Sequence, residues 1–145
     1  VAAVVLAETA ALIDQVVAAA TEHEDPQASL EAGLLTALTV LRDHPLLDRL
    51  VRTEPEALLP LLVAEGSPVM VQVRAVVESI LDEGGPDLDN DPVARRRLAD
   101  VVTRLLVSYA VSAPDDPPEV VAHYLSLFLV RGAATGDAHP LEATP

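Results

Sequence analysis

The chain has no cysteine, no lysine and no tryptophan, and only three aromatic residues, Tyr109, Tyr124 and Phe128. Without cysteine there can be no disulfide, zinc thiolate site or thiol nucleophile, a composition that suits a reducing cytoplasm. With lysine missing, all nine basic residues are arginine; against 23 acidic residues they leave a formal charge of −14. A surface this acidic repels phosphate, so these residues are not expected to bind nucleic acid or an anionic membrane by themselves. Uninterrupted apolar runs are also short. None reaches about 18 residues, since Glu8, Asp14 and Gln15 interrupt the N-terminal one, and no membrane-spanning helix is expected. No basic segment precedes it, so it does not read as a signal peptide. The first residue is Val1 rather than Met, within a helical pattern, so the chain reads as a fragment.

What is present is Ala, Val and Leu. Half of the 145 residues are apolar, enough for one domain that buries roughly two thirds of its unfolded surface. Leu6, Leu12, Ile13, Val16, Val17 and Ala20 oppose Glu8, Gln15 and Glu22, an amphipathic helix over 1–24. Asp25-Pro26 caps a second helix, with Leu30, Leu34, Leu35, Leu38 and Leu41 on one stripe, which Pro45 stops near His44. Residues 46–52 form a single short turn or helix. Thr53 and Glu56 have capping-box spacing for a helix over 55–65, which Pro60 should bend or break. Ser67-Pro68 opens another helix, stopped by Gly84-Gly85-Pro86. An acidic loop over 84–91 leads through Asp91-Pro92 to a helix over 92–112, and Asp116-Pro117 opens a last one ending near Gly132. Residues 133–145 read as a flexible tail. No segment alternates as a strand would, so the fold is all-α, a six-helix orthogonal bundle.

The last two helices are apolar around more than half their circumference, the pattern of helices buried on several sides. Self-association would achieve this, the hairpin over 92–132 forming a four-helix bundle across a homodimer through Leu98, Val102, Leu105, Leu106, Tyr109, Tyr124 and Phe128. Alternatively, the hairpin is the central core of one protomer.

Chemistry is thinly represented. His23, His44, His123 and His139 include no pair at ligand spacing on one helix face, so no metal site and no cofactor is expected. The carboxylates concentrate in turns and caps, where helix dipoles account for them. No serine lies in a nucleophile elbow, no glycine loop can cradle phosphate, and no catalytic residues or enzymatic activity are expected. Arg95, Arg96 and Arg97 have local acidic partners in the DLDND run at 87–91. His44 reads as a cation favoured by the carbonyls at a helix end, or as a side chain pointing into a pocket. A pocket between helices is the remaining candidate site, with Leu35, Leu38, Leu62, Met70, Val73 and Val77 facing a common interior and Arg74 at its mouth, unless Arg74 pairs with Glu78.

The stretch from His44-Pro45 through Leu46-Leu47-Asp48-Arg49-Leu50 and Thr53-Glu54-Pro55-Glu56 to Leu62 resembles the middle of the regulatory domain of actinobacterial TetR-family transcriptional regulators. The helix order around it agrees over 1–132. The resemblance implies a homodimeric repressor domain, cytoplasmic, that takes up a small apolar effector molecule. Operator DNA would be reached only through an N-terminal helix-turn-helix domain, which is absent from this chain. Residues 1–24 would then be the connecting helix whose tilt carries the signal. The competing class is a helical protein-protein interaction module without a ligand pocket.

Overall fold

Proline placed after a capping residue starts most of the helices. The computed structural model describes residues 2–84 and 91–135, and within them the elements are α1 (Ala2–Thr21), α2 (Pro26–Arg42), α3 (Pro45–Thr53), α4 (Pro55–Val63), α5 (Pro68–Gly84), α6 (Pro92–Val111) and α7 (Pro118–Thr135). The described residues contain no strand, and the fold is all-α. The short segment expected near 46–52 is a helix of nine residues, separated from α4 by Glu54 alone. The acidic loop, apart from Asp91, and the tail from residue 136 lie outside the described residues.

Asp25 and Asp91 cap α2 and α6 as their sequence context implies, accepting from the backbone N–H of Ala28 and Val93. Ser67 does the same for α5 through the Met70 N–H. Thr53 behaves differently. Because α3 continues through it, its hydroxyl donates back to the Arg49 carbonyl, and α4 has no side-chain cap. Nor does Pro60 break α4, which runs on to Val63. The carbonyl that Pro60 cannot serve belongs to exposed Glu56, where water can reach it. The last helix begins one residue later than expected, with Pro117 accepting from Val120 and Val121.

The helices enclose two apolar centres. Leu30, Leu34 and Leu38 of α2, Val77 and Leu81 of α5, Ala99 and Val102 of α6, and Val121 and Ala122 of α7 form one. Val5 of α1, Leu50 of α3, Leu58 and Leu62 of α4, and Val69 of α5 form the other, and Val73 packs against both. α7 lies along α2 and touches α6 only sparingly, while α6 lies along α5. Thus the two C-terminal helices are held chiefly by α2 and α5.

By length and mean composition α1 and the stretch Pro55–Asp82 are apolar enough to cross a bilayer, although no uninterrupted run is. The second stretch is α4 and α5 joined through a turn in which Gly66 has a φ of 74°, and α1 turns its inner face onto the bundle.

Candidate functional site

Between the two apolar centres lies a cavity of about 130 Å³. That is room for about four water molecules at their share of liquid volume, or for an aliphatic molecule of about six non-hydrogen atoms. One wall is α1, which contributes Val5, Glu8, Thr9, Leu12, Ile13 and Val16. These positions recur at helical spacing along one face, so a single helix covers the length of the cavity. Opposite it stand Val69, Val73, Val76, Val77 and Ile80 of α5, with Leu106, Val107 and Ala110 of α6 behind. Ala37 and Leu41 of α2, Leu46, Leu47 and Leu50 of α3, and Leu58 and Leu62 of α4 complete the lining together with His44. No phenylalanine, tyrosine or arginine is found among the described residues of the lining. A smaller cavity of about 30 Å³ shares Val16, Val77, Ile80 and Leu106 with this one and extends beside Gly33 of α2.

Polar groups are confined to one corner. His44 and Glu8 meet there, with His44 Nε2 3.0 Å from Glu8 Oε2. His44 does not lie at the end of α2, which stops at Arg42; it is the N-cap of α3, its Nδ1 accepting from the Leu47 N–H at 3.3 Å. An acceptor at Nδ1 leaves Nε2 as the protonated nitrogen, which donates to Glu8. The imidazole is mostly covered, at 19 % side-chain exposure, and the Glu8 carboxylate is half exposed, at 51 %. The third polar side chain, Thr9, is occupied within its own helix, donating to the Val5 carbonyl at 2.7 Å. The His44–Glu8 contact ties the middle of α1 to the corner between α2 and α3. At its far end α1 is held by buried Ser29, whose hydroxyl donates to the Ala20 carbonyl at 2.9 Å.

Of the seven residues the sequence points to for a pocket, Leu62, Val73 and Val77 line the cavity. The other four are directed elsewhere. Leu35 and Leu38 belong to the apolar centre shared by α2, α5, α6 and α7, and Met70, one residue round from Val69, is half-buried outside the lining. Arg74 pairs with Asp100 of α6 at 3.7 Å, not with Glu78. Arg104 donates Nε–H to the same carboxylate at 2.8 Å and, with Arg74 adding to it, holds Asp100 below the usual carboxylate range. Sequence reasoning missed the whole contribution of α1, although its period-matched face of Val5, Leu12, Ile13 and Val16 was there to find.

The seven residues proposed for a subunit interface divide as well. Val102 is buried, and Leu98, Leu106 and Tyr109 pack against the α2-centred core, with Leu106 also at the cavity. Leu105 is half-buried. Tyr124 and Phe128 are open, at 56 % and 66 % exposure, one turn apart on α7 with their rings stacked at 6.2 Å. Val120, a turn before them, and Val101 on α6 are exposed too. α6 is apolar on several sides because α5 and α2 flank it within the protomer. Of the three adjacent arginines, Arg95 reaches Asp82 of α5 at 3.1 Å and Arg96 and Arg97 are exposed, while residues 87–90 of the acidic run expected to pair with them lie outside the described residues.

The family model described as "Bacterial Tetracyclin repressor, C-terminal domain" matches residues 25–131. No curated protein and no solved structure gives a match.

Proposed function

The chain belongs to the bacterial tetracyclin repressor C-terminal domain family, whose members are the regulatory rather than enzymatic parts of transcription regulators, and from that premise we propose that it senses a small apolar molecule. The molecule occupies the cavity under α1 and biases the position of that helix. A cytoplasmic repressor works this way when α1 continues towards a helix-turn-helix domain: a ligand that prefers one position of α1 weakens or strengthens operator binding by the same free energy that the operator takes from ligand binding. A coupling of about 1–3 kcal/mol is ordinary for such a device.

The observation that carries this reading is the composition of the cavity wall. Six of its residues come from one helix, α1, so its filling cannot leave α1 indifferent. An interaction module without a pocket has no need of a hollow between its two apolar centres, and large apolar voids are uncommon in close-packed interiors. In the same reading the domain is a homodimer, joined through the open stripe of Val120, Tyr124 and Phe128 on α7. Contiguous apolar surface rimmed by polar groups marks an interface.

Thermal denaturation in the presence of a panel of uncharged and charged aliphatic compounds tests the sensing role. A compound at a concentration of about 100 times its Kd stabilises the domain by about 2.7 kcal/mol. A hit should also change operator affinity in the regulator that carries a DNA-reading domain. Operator affinity that stays constant for every compound that stabilises this domain contradicts the switch.

A further inference from the structure

We propose that the effector is an aliphatic ammonium compound, its cationic head held by the Glu8 carboxylate and its chain lying among the valines and leucines beneath α1. The proposal deepens the sensing role above and rests on it.

The argument begins with charge. Glu8 is the one acidic side chain in the described lining and no arginine accompanies it, so the corner carries uncompensated negative charge. His44 meets it through a single Nε2–H, its Nδ1 being taken by the Leu47 N–H. A carboxylate offers about four lone-pair directions over its two oxygens. His44 takes one of them at Oε2, and the half-exposed carboxylate keeps room for the N–H groups of an ammonium.

The rest of the lining selects against other classes. A carboxylate ligand would meet Glu8 with like charge and find no arginine to receive it. An aromatic or quaternary cation would find no phenyl or phenol ring to stack on, whereas a primary or secondary ammonium needs only acceptors and an apolar channel. The hydroxyl of Thr9 already donates to the Val5 carbonyl. The volume of about 130 Å³ suits a chain of about six heavy atoms with its head at the half-exposed corner, and the net charge of −14 draws cations towards the domain before any contact is made.

Isothermal titration of hexylamine, hexanoate and 1-hexanol into the wild-type chain and into Glu8→Gln tests this. The amide keeps the shape of the corner and an oxygen for His44 Nε2–H, so the variant should fold. The expected result is saturable binding with hexylamine tighter than 1-hexanol by up to about fivefold, hexanoate weakest, and the amine preference lost in Glu8→Gln. Saturable binding in which 1-hexanol or hexanoate equals hexylamine overturns the ammonium proposal and leaves the sensing role standing. An amine preference that survives in Glu8→Gln overturns it too, since the general acidity of the surface then accounts for the preference. No saturable binding by any of the three overturns the cavity as a ligand site altogether.

Discussion

At the scale of single residues, the joint between α1 and α2 depends on Ser29. Its hydroxyl is buried and donates to the Ala20 carbonyl nine residues earlier. Ser29→Ala removes that donor with little change of shape and should lower stability by about 1 kcal/mol, seen as a lower urea midpoint with an unchanged slope. Nothing in the sequence singled out Ser29, because its partner is fixed by how two helices cross. The same holds for Arg74 and Met70. Both lie within one turn of Val73 along α5, and the 100° rotation per residue decides that Val69, Val73, Val76 and Ile80 face the cavity while Arg74 faces Asp100. An apolar arc says that a side is inward; it does not say which of two apolar centres that side meets. For that reason Leu35 and Leu38 were legible as core and not legible as belonging to the α7 side.

At the scale of elements, local chemistry wrote most of the boundaries. Asp-Pro and Ser-Pro pairs start α2, α5 and α6 where their caps require. Thr53 misled because a capping motif is also a short helical sequence, and α3 had not yet ended. Gly33, in the interior of α2, is the point of close approach to α1. A Cβ there would lie 3.6 Å from both the Ala20 Cβ and Val16 Cγ1, ordinary contact distance. Gly33→Ala should therefore fit and stabilise the domain by up to about 1 kcal/mol, the helix-propensity difference, raising its melting temperature. Gly33→Leu should instead push α1 outward. Circular dichroism melts of the two variants should move in opposite directions.

At the scale of the whole molecule, the stripe on α7 makes a subunit prediction. Phe128 is exposed in one protomer, so Phe128→Glu leaves the protomer's own core intact while placing charge in the proposed interface. Light scattering should give twice 15.3 kDa for the wild type and 15.3 kDa for the variant, with similar helical content. The proposed dimer surface was only partly legible, since an all-round apolar α6 has two explanations and the structure uses much of α6 inside the protomer. The central claim, that the hollow beneath α1 takes up the effector, has an unusually simple probe. The chain has only two isoleucines, Ile13 on α1 and Ile80 on α5, and both line the cavity, while its single methionine, Met70, does not. In a methyl-labelled NMR titration with hexylamine, both isoleucine δ1 signals should shift in step with binding while the Met70 ε-methyl signal stays in place. Binding that moves Met70 and leaves Ile13 and Ile80 unmoved would contradict the account.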